Sequence, residues 1–271
     1  MARCRSCRVV YVEVLLLHSD PTPMTSSATE DKLRRLRVHC LTHASFEGPG
    51  AIEEWAIQRG HEFRVFRLFE TEALPRIGHF DLLVVMGGPM SVHDETEYHW
   101  LRDEKKLLVQ CLQQGVFVLE ICLGSRLLAE CLGSSVRRHS HREIGWFPVW
   151  ITAGADSVMH ELPGELTVFH WHGETYDLPP GTVLRVTSEG CPVQAFEHPT
   201  ALGLQFHLEV RRSGVDLLLA HCGHELGNGP FEQKPSMILR LERTHSQAVN
   251  SSLNGLLDRI WSRIAANRKS E

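Results

Sequence analysis

The chain has 271 residues, 42% of them hydrophobic, and 28 Lys and Arg against 33 Asp and Glu give it a formal charge of −5 at neutral pH. That length buries the core of one large α/β domain with tails, and the acidic balance excludes the basic surface of a nucleic-acid-binding protein. Eight cysteines without regular spacing, several inside apolar runs (Cys40, Cys111, Cys131), do not make a disulfide framework and point to a reducing, cytoplasmic setting.

In chain order, Cys4 and Cys7 form a C-x-x-C pair, but no second pair follows at zinc-ribbon spacing, so no metal is expected there. Residues 9–17 are apolar except for Glu13. The acid and the missing small-residue cleavage site argue against a signal peptide, and the run is too short to span a bilayer. Polar, Pro-containing sequence follows, so residues 1–35 are expected to form a poorly ordered extension. From Leu36 the pattern alternates. Strands are predicted at 36–41, 63–69, 80–86 and 116–121, and helices at 51–59, 98–114 and 123–131, with Gly60, Gly115 and Gly133 as stops. This alternation implies a doubly wound, mostly parallel sheet flanked by helices, whose chemistry gathers at the carboxyl ends of the strands. Beyond Val136, shorter strands at 145–151, 166–171, 183–187, 193–196 and 202–208 are predicted to extend the sheet in antiparallel fashion. Residues 36–226 form the expected domain. A helix at 214–221 closes it, and 227–271 are expected to be a loop and a helix (251–266) packed on it.

Two strand ends carry chemistry. Residues 80–86 stop at Gly87-Gly88-Pro89, and 116–121 run into Cys122, which opens a helix. A thiol on such a turn is pushed out of the sheet, sits at a helix N-terminus and has the next backbone N–H, that of Leu123, beside it. Gly87 and Gly88 are candidates for a second oxyanion donor, because backbone without Cβ atoms approaches closely. Far along the chain, His207 and Glu209 lie two apart, so on an ideal strand they share a face. The roles are then Cys122 as nucleophile, His207 as general acid/base and Glu209 as its orienter. Each feature alone has an ordinary structural reading: a core thiol, a surface pair, a turn. Their joint occurrence at strand ends favours the site.

The segments V-V-M-G-G-P-M-S-V (84–92), I-C-L-G-S-R-L-L-A (121–129), E-I-G-W-F-P-V (143–149), F-H-W-H-G-E-T-Y-D-L-P-P-G (169–181) and G-L-Q-F-H-L-E-V (203–210) occur in the order found in class I (triad-type) glutamine amidotransferases. Over residues 36–226 the chain resembles that family, most closely its stand-alone GMP-synthase-like domains. The resemblance implies a flavodoxin-like fold and hydrolysis of the glutamine side-chain amide through a γ-glutamyl thioester. It assigns Cys122, His207 and Glu209 as the triad, Gly87 or Gly88 and Leu123 as the oxyanion hole, and Glu120, Arg126 and Gln205 to the substrate pocket. Glu120 stands where the family has glycine, Arg126 where it has glutamine, and Leu208 where it commonly has proline. A buried Glu120 is expected to pair with Arg126 or a nearby histidine.

No cofactor is called for. His170 with His172, and His139 with His141, alternate as metal ligands can, but no acid or cysteine at convincing spacing completes either set, so they are expected to be hydrogen-bonded histidines. The expected partner is glutamine or a γ-glutamyl small molecule, with no nucleic acid and no membrane. No S-G-G-x-D-S or Walker A loop is present. Ammonia would therefore pass to a separate synthetase subunit, unless the protein is a free-standing γ-glutamyl hydrolase. The competing expectation is a binding or regulatory module on the same fold, motivated by Glu120 and Arg126 beside the nucleophile.

Overall fold

The computed structural model describes residues 35–268, and the expected extension, with Cys4 and Cys7, lies outside them but for Arg35. Strict apolar alternation sorts the central strands between two faces. Strands β1 (Arg37–Thr42), β3 (Leu82–Val85) and β4 (Phe117–Ile121) are almost wholly buried. Val38, Leu82, Val84, Phe117, Leu119 and Ile121 point into one hydrophobic layer, while Leu41, Leu83, Val85 and Val118 point into the other. Side chains buried on both faces are what a parallel sheet covered by helices on each side requires.

The sheet has nine strands in the order β2-β1-β3-β4-β9-β8-β7-β5-β6. β2 (Glu62–Arg67), β1, β3, β4 and β9 (Ala201–Leu204) are mutually parallel. β8 (Ala195–His198), β7 (Val183–Ser188), β5 (Val136–Ile151) and β6 (Glu165–Tyr176) continue the sheet antiparallel. The doubly wound parallel core with antiparallel additions expected from the sequence is therefore present, as a mixed sheet in which the antiparallel part is as large as the parallel one. Helices α2 (Trp100–Gln113) and α3 (Leu123–Cys131) cover one face. The other face holds α1 (Ala51–Gln58), α4 (Arg212–Cys222) and α5 (Pro235–Asn267).

Several segments are longer than their sequence suggested. β5 and β6 form a long hairpin, interrupted by a register shift between Arg138 and Glu143, and its basic end at 137–142 is mostly exposed. α5 starts at Pro235 rather than near 251 and runs for 33 residues. It is anchored before it begins. Phe231 and Gln233 hydrogen-bond along the β5 backbone at Ile144 and Trp146, covering a strand edge that would otherwise be open. The helix then packs against α1, α4, β5 and β6. Trp55 of α1 donates its indole N–H to Asp258 at 2.8 Å, and Arg263 reaches the buried Glu197 of β8 at 2.8 Å. Residues 35–268 thus belong to one compact unit. Among the described residues the six cysteines are free, and no helix is long and apolar enough to cross a membrane.

Candidate active site

β4 delivers its last residue, Ile121, to the carboxyl edge of the sheet, and the chain turns at once into α3. Cys122 makes the turn at φ 52°, ψ −100°, a left-handed conformation that disfavours any side chain but glycine's. Its N–H bonds to Leu204 O of β9 at 2.7 Å, and its carbonyl accepts from the Ser125 hydroxyl at 2.8 Å, itself contacted by Tyr176. Gly124 permits the tight start of α3, since a Cβ there would lie 2.6 Å from Val85 O. The cysteine is 3% exposed.

The expected strand carrying His207 and Glu209 ends early. β9 stops at Leu204, and the chain bends away towards β6, where His207 N bonds to Phe169 O at 2.8 Å. The bend still unites the pair: His207 Nδ1 lies 2.7 Å from Glu209 Oε1. Cys122 lies close enough to the same imidazole to act on its charge. Burial opposes protonation of His207, but the Glu209 carboxylate and the Cys122 sulfur together hold its pKa well above the ordinary value.

Around the sulfur stand Arg126 Nη2 and Gln205 Nε2, each at 3.8 Å, and Trp171 O at 3.6 Å. Gly87 and Gly88 face the same place. A Cβ on Gly87 would lie 3.3 Å from the His207 ring, and one on Gly88 would lie 2.9 Å from the Leu123 side chain. A cavity of about 350 Å³ opens beside His207 and Glu209, bordered by Phe46, Glu47 and Met86. A larger depression of about 450 Å³, lined by Lys105, Lys106 and Glu130, holds none of these residues.

Glu120 stands apart. Its side chain points the other way, under α3, where a Cβ on Gly124 would meet its Oε2 at 2.8 Å. It is fully buried and neither carboxylate oxygen has a hydrogen-bond partner. The expected pair with Arg126 or a histidine is not made, because alternation along β4 turns residue 120 to the face opposite Leu119 and Ile121. Burial, reinforced by Glu104, holds its carboxyl well above the usual range. Arg126 pairs instead with Glu174 of β6 at 2.6 Å.

Three further residues shape the site without a sequence motif to mark them. His43, at the end of β1, places Nδ1 3.0 Å from Gly87 O and Nε2 2.9 Å from the buried Glu104. Burial opposes the charge on His43, but Glu104 outweighs it and raises its pKa. Glu47 crowds Gly87, with an oxygen 2.1 Å from where a Cβ would be. Burial raises the pKa of Glu47, opposed by His207 and His43. One signal was readable. Glu104 occupies a core position of amphipathic α2, in line with Leu101, Leu108 and Cys111, where a charge needs a partner.

Known proteins resemble this chain over most of its length. The sequence profile of "Glutamine amidotransferase class-I" matches residues 51–219. The glutamine amidotransferase-like protein YfeJ of Salmonella typhimurium is 33% identical over 232 residues, which cover 83% of this chain and 97% of that protein. A GMP synthase (glutamine-hydrolyzing) of Geobacillus kaustophilus is 37% identical over 142 residues, half of this chain but only 26% of the synthase. Among solved structures, a glutamine amidotransferase of Thermotoga maritima superposes with a TM-score of 0.78 at 31% identity, covering 84% of this chain and 98% of that one. One of Methylobacillus flagellatus superposes equally well at 29% identity, over 84% and 94% of the two chains. With its sheet, its motifs and these relatives in agreement, the chain belongs to the class I glutamine amidotransferase family.

Proposed function

We propose that the protein hydrolyses the side-chain amide of glutamine, or a γ-glutamyl bond, through a thioester on Cys122. The observation that carries this reading is Cys122 on a strained strand-to-helix turn, close enough to His207 to raise its pKa, while Glu209 holds the same imidazole at 2.7 Å. Glu209 engages Nδ1 and so leaves Nε2 to the thiol. Sγ, its proton already passed to His207 and held there as the imidazolium, attacks the amide carbon. The tetrahedral intermediate collapses as His207 returns that proton to the departing nitrogen, which leaves as ammonia. Water then attacks the thioester with His207 as base, releasing glutamate and the thiol.

The oxyanion needs two donors. Leu123, first residue of α3, has an N–H that the helix does not use. The second donor follows from His43. Gly87 O can only accept, so His43 donates to it, and in a trans peptide the N–H of Gly88 then points the opposite way. We assign Gly88 rather than Gly87 as that donor, with His43 and Glu104 holding its peptide. One such donor contributes about 3 kcal/mol of barrier reduction in studied enzymes. Arg126 and Gln205 form the wall beside the sulfur, and Glu120 is not part of it. The released ammonia is proposed to serve a separate synthetase subunit, as the resemblance to GMP synthases supports.

The test is ammonia and glutamate release by purified protein beside Cys122→Ala, with γ-glutamyl dipeptides in parallel. Release that vanishes in the variant supports the triad, and the ranking of substrates separates the amidase from the dipeptide hydrolase. Equal rates in both proteins would overturn the role of Cys122, and none in either would overturn the reading in favour of a binding module.

A further inference from the structure

A second cluster lies in the β5–β6 hairpin, where topology supplies the acid that sequence spacing did not. Glu143 of β5 is the cross-strand partner of His172, and His170 lies two residues before His172, on the same face of β6. All three are buried, at 0%, 4% and 0% exposure respectively for Glu143, His172 and His170. One ligand atom from each lies within 4.8 Å of the others, and His172 Nε2 is 3.0 Å from Glu143 Oε2.

We propose that Glu143, His170 and His172 form a binding site for a divalent transition metal, with Zn²⁺ as the ion best matched to two imidazoles and a carboxylate.

Three observations support it independently of the spacing. The carbonyl of Glu174 lies 3.1 Å from His172 Nδ1 and can only accept, so Nδ1 carries a proton and Nε2 is the atom turned to the cluster. That is how an outer carbonyl orients a metal-ligating histidine. Glu143 is aimed in the same way, by the Ser188 hydroxyl at 2.8 Å and the Gln194 amide at 2.7 Å. His170 is fully buried, and apart from a backbone interaction with Phe147 its ring nitrogens find no hydrogen-bond partner. Buried polar atoms rarely go unsatisfied, and an ion would supply what His170 lacks. Ligands about 2.1 Å from a shared ion lie closer together than the present cluster, so metal binding draws the His170 ring inwards by about 1 Å.

The ion would clip β5 to β6 directly behind the nucleophile. Trp171, between the two histidines, presents its carbonyl to Cys122, and Glu174, three residues on, holds Arg126. The role is structural, and its test does not depend on turnover. Full-length protein is unfolded with a chelator, refolded with and without ZnCl₂, desalted and assayed for zinc; a parallel sample receives Co²⁺. The expected result is one retained equivalent of zinc and a visible Co²⁺ ligand-field band without a sulfur-to-metal charge-transfer band. A Tm about 5–10 °C higher at a hundredfold excess over Kd is also expected. His170→Leu and Glu143→Gln lose the ion, while replacing the exposed pair by His139→Asn with His141→Asn keeps it. No retained zinc and no Co²⁺ band in the wild type overturns the proposal, whatever the variants do. So does a thiolate band, or zinc lost on Cys4→Ser with Cys7→Ser, which would place the ion on the C-x-x-C pair.

Discussion

Cys122 is held in a conformation that costs on the order of 1–3 kcal/mol for a residue with a side chain. The backbone bonds to Leu204 O and from Ser125 oppose that strain, and the sulfur in return faces His207, Arg126 and Gln205. Two carboxylates nearby behave oppositely. Glu209 sustains the charge on His207, whose raised pKa keeps the imidazolium as pH rises past the ordinary histidine value. The stability this contributes is complete below the unfolded pKa and is lost as pH rises through the folded one. Glu209→Gln removes the larger of the favourable influences, so the alkaline limb of the rate profile is expected to move to lower pH, with a loss of activity at neutral pH of tenfold or more. A profile whose alkaline limb does not move would contradict the role of Glu209. Glu120 has no partner at all. Its folded pKa lies above the unfolded value, so its neutral form favours the fold at low pH and the penalty grows as pH rises above the ordinary carboxyl range. Glu120→Val, close in volume and suited to a strand, is expected to stabilise the protein by about 1–3 kcal/mol at neutral pH. Chemical denaturation should show the gap shrinking towards pH 4. A destabilised variant would mean that Glu120 has a partner after all.

At the scale of elements, the strands that position the site were legible because buried parallel strands are apolar runs that end in glycine or at Cys122. Residues 82–85 stop before Gly87, and 117–121 stop at Cys122. The hairpin end at 137–142 was not, since an exposed ribbon of Arg and His shows no apolar alternation. The first half of α5 was missed for the same reason: Ile238 and Val249 are buried, but most residues between them are polar. Pairings across elements were beyond reach, because His43 with Glu104, Arg126 with Glu174 and Glu143 with His172 depend on which strands and helices become neighbours. α5 is integral to the fold rather than an appendage, with Leu253, Leu256, Leu257 and Ile260 fully buried against the sheet layer. Leu257→Ala is expected to cost about 2–5 kcal/mol in urea unfolding measured by fluorescence. A cost below 1 kcal/mol would show that the helix docks only loosely.

On the scale of the whole molecule, the two faces of the sheet divide the work. The α2–α3 face holds the elbow from beneath and buries Glu120 and Glu104, while the opposite layer, with α4 and α5, supports the bend that carries His207 and Glu209. Cys122 enters from a parallel strand and the wall behind it from the antiparallel hairpin, so the site exists only where the two parts of the sheet meet at β9. This explains why the motifs lie so far apart in the chain and why their order, more than any one of them, marks the family. The central claim is that Cys122 is the nucleophile, and its most direct test is the site of covalent labelling by a diazoketone analogue of glutamine, read by peptide mass spectrometry on the intact chain. The expected result is one equivalent on Cys122, slowed by glutamine and abolished by His207→Ala. Labelling spread over other cysteines, or a Cys122 that stays unmodified while the protein is folded, would contradict it.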